Sequence, residues 1–188
     1  MKYSDIYRLY STSQPKDAIH QALREVPVDD SDEQYEDRSP LHLACQYGDT
    51  EGVKILLERD AEPNTKDANG STPIHILGRA SVGRADEEKL KEIAVMLMEH
   101  GANIPRSAKN TTALIECIRN RHFKMAEAII DSGARVNSTD LNGENVLFGF
   151  CAASGDIRRD IRFAKKELDE SVQYRYPENK IEEIRSRI

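Results

Sequence analysis

The sequence repeats a short pattern, SPLHLA at residues 39–44 and TPIHIL at residues 72–77, at a spacing of 33 residues. Each copy begins with Ser39 or Thr72 followed by Pro. A Ser or Thr hydroxyl caps a helix, and Pro fits the first helical position because its missing N–H would have no partner there. Each copy therefore predicts the start of a helix.

A second apolar stretch follows each copy and ends at a turn signal, which predicts a unit of helix, turn, helix and a hairpin-like finger. Asn69-Gly70 and Asn142-Gly143 are tight-turn signals for the fingers. A third copy opens at Thr112 in the same register, and a fourth opens at Asn145. The closing turns of the first three copies are Asp60-Ala61, Gly101-Ala102 and Gly133-Ala134.

The 33-residue period and the TPLH-type starts resemble the ankyrin-repeat family. The resemblance implies an all-α solenoid of about four helix-turn-helix repeats with short hairpin-like fingers and helical N- and C-terminal flanks. The expected units are an N-terminal capping helix pair with an acidic linker (1–33), repeat 1 (34–66), repeat 2 (67–106), a degenerate repeat 3 (107–139) and an atypical repeat 4 with C-terminal helices (140–188). No unit can bury its own apolar face, so neighbours must stack.

Repeat 2 carries an insertion of eight residues between its helices, relative to repeat 1. The insertion includes residues 79–84, and Asp86-Glu87-Glu88 then predicts an early start of the second helix, with acids at its positive end. A tolerated surface loop and a partner-contacting lip are both open interpretations of the insertion.

Composition and charge exclude several classes of function. The 188 residues carry 33 acidic and 27 basic side chains, a formal net charge of −6 that disfavours non-specific nucleic-acid binding. No apolar run of about 18 residues predicts a membrane helix, and the first residues lack a signal-peptide pattern. Three separated cysteines predict free buried thiols rather than disulfides. We therefore expect a cytoplasmic protein, or one delivered into a host cytosol if it is an effector.

No motif in the sequence points to catalysis, a metal or a cofactor. The histidines have no ligand partner at metal-binding spacing, and neither a nucleophile elbow nor a phosphate-binding Gly-rich loop is present. His42 and His75 recur at one repeat position, which predicts a structural role. Cys45, Cys117 and Cys151 fall at small-residue positions of inner helices. We expect a non-enzyme without cofactor.

The ankyrin resemblance implies a non-catalytic module that binds a partner protein through finger tips and inner helices on a concave surface, with a monomer favoured. Arg38, Tyr47 and Arg79 are expected on one face, with the two guanidinium groups available to acidic side chains of the partner. The candidate partner-binding residues are Tyr35, Glu36, Arg38, Gln46, Tyr47, Asn69, Ser71, Arg79, Lys109, Thr111, Arg119, Asn120, Leu141, Asn142 and Glu144.

Two alternatives stay open at this point. The chain is a targeting or adaptor segment of a longer effector or enzyme, or it is an adaptor for an anionic ligand or nucleic acid. The second alternative depends on a mixed-charge C-terminal face, whose basic residues are Arg158, Arg159, Arg162, Lys165 and Lys166.

Overall fold

A computed structural model describes residues 1–80, 86–103 and 112–134. Within these ranges the helices are α1 (Tyr3–Ser11), α2 (Lys16–Glu25), α3 (Pro40–Gln46), α4 (Thr50–Leu57), α5 (Pro73–Gly78), α6 (Glu87–Glu99), α7 (Ala113–Arg119) and α8 (Phe123–Asp131). A 3₁₀ turn, Glu33–Tyr35, precedes α3. The expected fourth repeat and C-terminal helices lie outside the described residues.

The helices stack as pairs in two rows. The inner row contains α1, α3, α5 and α7, and each of these helices contacts its neighbours in the row. The outer row contains α2, α4, α6 and α8, and the two rows are joined by contacts within each pair. The fold of the described residues is therefore the all-α solenoid of helix pairs that the repeat predicts, with α1 and α2 as an N-terminal helix pair on the first repeat.

The helix starts follow the predicted capping chemistry. Nδ1 of His42 accepts from the Ser39 amide at 3.1 Å and lies 2.9 Å from the Ser39 hydroxyl, and its Nε2 lies 3.0 Å from the Ser71 carbonyl oxygen. Because Nδ1 accepts, the proton is on Nε2, which donates to Ser71. Thr72 and His75 repeat the arrangement at the start of α5. The structural role predicted for these histidines is confirmed in this geometry.

The outer helices end in left-handed turns, as predicted. Asp60, Gly101 and Gly133 have φ angles of 61°, 87° and 85°. The alanine after each turn donates its N–H to a carbonyl five residues back, on Leu56, Leu97 and Ile129 respectively. These bonds satisfy helix-end carbonyls that would otherwise lack a donor.

The finger between the first two repeats is a tight turn around Gly70, whose φ is 67°. The Asp67 N–H donates to the Ser71 carbonyl at 2.9 Å, and Asp67 Oδ1 accepts from the amides of Asn69 and Ser71 at 2.9 and 2.8 Å. The Ala68 N–H donates to the Glu36 carbonyl at 2.8 Å, which links this finger to the preceding one.

Aliphatic side chains between the two rows form one continuous core. Cys45 and Cys117 are free thiols inside this core, and Cys151 lies outside the described residues. Larger side chains that are fully buried include Leu41, Leu43, Leu56, Ile74, Leu77, Leu90, Ile93, Leu97 and Leu114.

The helix after the insertion begins early, as its acidic residues predict. Asp86 caps α6, which has 13 residues against eight in α4 and nine in α8. Oε1 of Glu87 accepts from the Phe123 amide at 2.7 Å, and Glu88 pairs with Lys124. Part of the inserted sequence thus extends α6 by more than a turn and brings acceptors to the positive end of α8.

Candidate functional site

Polar residues at the two ends of the inner helices α3 and α5 are hydrogen-bonded to each other. NH1 of Arg38 donates to Oε1 of Gln46 at 2.9 Å, and in the next repeat NH1 of Arg79 donates to the Ser71 hydroxyl at 3.1 Å. Each pair joins the residue before a helix cap to the residue seven positions after that cap. The sequence singled out these four positions, and the structure brings them together two by two.

Arg79 also connects two repeats. Its NH2 donates to Oε1 of Glu116 on α7 at 3.0 Å, and the Arg79 side chain keeps 26% of its surface exposed against 12% for Glu116. The guanidinium is fixed by the Ser71 hydroxyl on one side and the Glu116 carboxylate on the other. Glu116 was not among the predicted site residues, because its position carries Leu43 and Ile76 in the earlier repeats.

Arg38 lies between two carboxylates. Glu36 Oε2 lies 2.5 Å from its NH2, and Asp67 Oδ2 lies 3.6 Å from its Nε. The Asp67 side chain is completely buried. Both arginines of the expected anion-binding face are therefore paired within the chain, and an acidic partner would have to compete with Glu36, Asp67 and Glu116.

Tyr47 contacts the N-terminal helix pair. Its ring stacks on Tyr10 of α1 with centroids 4.9 Å apart and an interplanar angle of 12°. The side chain is half-buried in the contact between the first repeat and the N-terminal helix pair. The repeat pattern does not predict this contact, because α1 lies outside the recognisable repeats.

The remaining predicted residues differ in exposure. Tyr35 and Asn69 are half-buried, Glu36 and Arg119 are exposed, and Ser71 is buried. The Asn120 amide donates to the carbonyl oxygens of Gly78 and Glu116. Five predicted residues lie outside the described part of the chain: Lys109, Thr111, Leu141, Asn142 and Glu144.

A polar network attaches the N-terminal helix pair to the first repeat. Both carboxylate oxygens of Asp49 lie 3.0 Å from Nε2 of His20, and Oδ2 accepts from the Tyr10 hydroxyl at 2.8 Å. Asp49 is buried. Burial and the Asp49 charge raise the pKa of the Tyr10 phenol, so it remains a donor. We call these three residues the junction network.

Sequence reasoning missed the junction network, although one signal points to it. Asp49 lies ten residues after the cap Ser39, and His122 lies ten residues after the cap Thr112. His122 donates from Nε2 to the Ala80 carbonyl of the preceding repeat at 2.7 Å. The residue ten positions after the cap therefore makes a polar contact with the preceding helix pair in both repeats. An acidic residue at this position predicts hydrogen-bond donors in the preceding helix pair.

Three tyrosine rings lie together beside the first finger, which we define as residues 29–38. The ring centroid of Tyr35 is 4.3 Å from that of Tyr7 and 5.7 Å from that of Tyr3. Tyr7 and Tyr35 are half-buried, whereas Tyr3 is 1% exposed. We call these three rings the tyrosine platform.

The described residues offer no group of His, Cys, Asp and Glu side chains that could hold a metal. The pKa values of the Cys45 and Cys117 thiols are raised well above the usual range, chiefly by burial. Such thiols are poor nucleophiles because the thiolate is the reactive form.

We expect alkylation of Cys45 and Cys117 in the native protein to be far slower than in the unfolded chain, because both thiols are buried and protonated. Iodoacetamide labelling followed by peptide mass spectrometry measures each rate, with the urea-unfolded chain as the reference. Native labelling of either residue at the unfolded rate would show that the core does not protect it.

Comparisons with known proteins agree with the geometry. Residues 22–77 match the family model for ankyrin repeats in many copies. The chain is 31% identical to human neurogenic locus notch homolog protein 1 over 133 residues, 71% of the chain and 5% of that protein. It is 34% identical to mouse Rabankyrin-5 over 58% of the chain and 9% of that protein. It is 29% identical to ankyrin repeat protein nuc-2 of Neurospora crassa over 65% of the chain and 10% of that protein.

Stacked helix pairs joined by capped inner helices define a repeat protein of the class that generally serves protein–protein interaction and is typically non-catalytic. The chain belongs to the ankyrin-repeat family. It spans a tenth or less of the length of the relatives named above. In the described part of the chain, no helix is both long and apolar enough to cross a bilayer.

Proposed function

We propose that this protein is a non-catalytic adaptor that binds a partner protein through its inner surface. The observation that carries the proposal is the row of fixed polar side chains formed by Arg38, Gln46 and Arg79. The row crosses from the first repeat to the second and reaches Glu116 of the third. An extended surface of this kind suits a folded partner or a peptide laid across several repeats.

The fixed geometry of these side chains favours binding. A long side chain that is already held in one conformation loses little entropy when a partner arrives. The structure describes acceptors for two of the five N–H groups of Arg79. The other N–H groups suit a carbonyl or carboxylate oxygen of the partner, and the Gln46 amide suits the partner's polar backbone groups.

The proposal keeps the repeat units expected from the sequence. In this proposal residues 34–66, 67–106 and 107–139 are the first three repeats, residues 1–33 are the N-terminal capping helices and acidic linker, and residues 140–188 are an atypical fourth repeat with C-terminal helices. Free buried thiols at Cys45 and Cys117 fit a reducing compartment, so we place the function in the cytosol.

Replacing Gln46 and Arg79 together by Ala should abolish partner binding while the protein stays folded. Truncating a residue of this type at the centre of an interface costs about 2 kcal/mol or more, a loss of roughly thirtyfold in affinity. The measurement is affinity capture with the intact chain, followed by titration of the captured partner against each variant. Helical circular dichroism and the unfolding midpoint report folding.

The matched control replaces Lys54 and Lys89, which are exposed on the outer helices α4 and α6, by Ala. This control should bind as the original protein does. The proposal fails if binding survives the Gln46 and Arg79 substitutions and is instead lost on charge reversal of Arg158, Arg159 and Arg162. That result would assign recognition to the C-terminal basic face.

A further inference from the structure

Most of the net charge of this protein is concentrated in the first finger. Residues 29–38 contain six carboxylates and one guanidinium, a net charge of −5, whereas the whole chain has −6. Surface charge concentrated in this way attracts cations and steers oppositely charged partners.

Half of these carboxylates are already used inside the protein. Asp30 accepts from the Tyr3 amide at 2.7 Å, Asp32 accepts from the Gln34 amide at 2.9 Å, and Glu36 pairs with Arg38. The side chains of the other three, Asp29, Glu33 and Asp37, have no hydrogen-bond or ion-pair partner among the described residues. Asp29 and Glu33 are exposed, and Asp37 is partly exposed.

Aromatic rings lie within and against the same finger. Tyr35 belongs to the finger itself, and its ring contacts Tyr7 of α1 at a centroid distance of 4.3 Å. Both side chains are half-buried, so each keeps part of its ring accessible. Aromatic faces attract guanidinium and ammonium groups through the negative face of the ring, and Arg stacks on such faces especially well.

A buried donor under the same platform lacks an acceptor. The Tyr3 hydroxyl has no hydrogen-bond partner in the described structure, although the residue is only 1% exposed. Burial raises the pKa of this phenol, so the hydroxyl stays protonated and can donate. The Tyr3 ring lies 5.7 Å from that of Tyr35 and the Tyr3 amide donates to Asp30, so the residue packs against the first finger. A buried hydroxyl without an acceptor is costly, and a peptide carbonyl that displaces part of its cover on binding would supply one.

We propose that the first finger and the tyrosine platform bind an Arg- and Lys-rich extended segment of the partner protein. The proposal rests on the proposed function, since it names the chemistry of the partner that the inner surface receives. The segment's cations pair with Asp29, Glu33 and Asp37, one guanidinium stacks on Tyr35, and a backbone carbonyl accepts from Tyr3. Arg38 and Arg79, which were expected to meet acidic side chains of the partner, already have carboxylate partners within the chain.

The test uses the full chain and a fluorescein-labelled peptide of alternating Arg and Ser, with a peptide of alternating Glu and Ser as the comparison. Fluorescence anisotropy should show saturable binding of the arginine peptide, which weakens as ionic strength rises, and no binding of the glutamate peptide. Replacing Asp29 and Asp37 by Asn and Glu33 by Gln should weaken the binding about tenfold or more.

A control variant removes the same number of charges from the outer helices, with Glu25, Glu51 and Glu58 replaced by Gln. These residues are exposed on or next to α2 and α4. Because net charge is identical in the two triple variants, a local site predicts a loss only in the finger variant. Equal losses in both variants would overturn the inference in favour of a general effect of net charge.

Substitutions in the tyrosine platform separate stacking from charge. Tyr35→Leu removes the aromatic face and should weaken binding of the arginine peptide about threefold, whereas Tyr35→Phe should preserve it. Tyr3→Phe should weaken binding without lowering the unfolding midpoint, because the hydroxyl it removes has no partner in the free protein. Full affinity in both Tyr35→Leu and Tyr3→Phe would remove the platform from the site.

The same measurements distinguish this inference from the proposed function. If the arginine peptide does not bind, yet partner capture persists and depends on Gln46 and Arg79, the inference is wrong and the proposed function stands. If the peptide binds and depends on the finger, yet the Gln46 and Arg79 substitutions leave partner capture intact, the inner-surface proposal fails and the finger site remains.

Discussion

Replacing Asp49 by Ala is expected to lower the free energy of unfolding by about 3 kcal/mol, since it removes a buried carboxylate that holds two donors. The Tyr10 hydroxyl and Nε2 of His20 would both lose their acceptor. The loss should be concentrated in the N-terminal helix pair, because repeat arrays are held together by contacts between neighbours. Thermal unfolding gives the overall effect, and hydrogen exchange of the α1 and α2 amides localises it.

Glu51→Ala is the matched control, because Glu51 is exposed on α4 two residues from Asp49. Surface changes of this kind stay within about 0.5 kcal/mol. An Asp49→Ala variant with the stability of the control and unchanged exchange in α1 and α2 would show that the junction network does not hold the helix pair.

Gly52→Ala tests the same network without removing a charge. A Cβ at Gly52 would lie 2.6 Å from Asp49 Oδ2 and 2.8 Å from the Tyr10 hydroxyl oxygen, so both side chains must move. Ala favours a helix over Gly by about 1 kcal/mol, and this gain partly offsets the strain. We therefore expect a smaller loss than for Asp49→Ala, again confined to the N-terminal helix pair.

Acidification from pH 6.5 to pH 4 is expected to remove on the order of 3 kcal/mol of stability through His42 alone. Burial lowers the pKa of His42 to about 4. The hydrogen bond to the Ser71 carbonyl and the charge of Asp67 raise this pKa, but by less than burial lowers it. The unfolded chain, with a pKa near 6.5, binds its proton first as the pH falls. The contribution of neutral His42 to the free energy of unfolding is therefore complete above about pH 6.5. It is lost progressively as the pH falls toward the folded pKa of about 4. Burial also lowers the pKa of His122, which adds in the same direction.

Urea unfolding at a series of pH values measures this slope for the original protein and for His42→Gln. Gln retains a donor and an acceptor but does not titrate. The variant should therefore be less stable at neutral pH, and its free energy of unfolding should change less between pH 6.5 and pH 4. Comparing the two proteins removes the contribution of carboxylates that titrate in both. An identical slope in the variant would mean that His42 is not the group responsible.

The repeat fold could be predicted because its signals are local. Ser39 and Thr72 cap the helices that follow them, and Asp60 and Gly101 adopt the left-handed turns that close the outer helices. The early start of α6 at Asp86 follows from acids placed at the positive end of a helix. Each signal acts within a few residues, so one sequence is enough to read it.

The arrangement of the candidate site could not be predicted from the sequence. The repeat pattern singled out Arg38, Gln46 and Arg79, but their pairing depends on side-chain conformations that periodicity does not specify. Glu116 joins Arg79 across 37 positions of sequence, and His20 reaches Asp49 across 29. The environment of Tyr47 could not be predicted either, because its ring stacks on Tyr10 of α1, a helix outside the recognisable repeats.

The extended α6 has a consequence for how the sequence of this array can change. Glu87, in the first turn of α6, accepts a hydrogen bond from the Phe123 amide at the start of α8. The longer helix therefore supplies a contact to the following repeat. A deletion restoring the repeat to its ordinary length would remove the acceptor from the start of α8. The length of this repeat is therefore coupled to the start of α8.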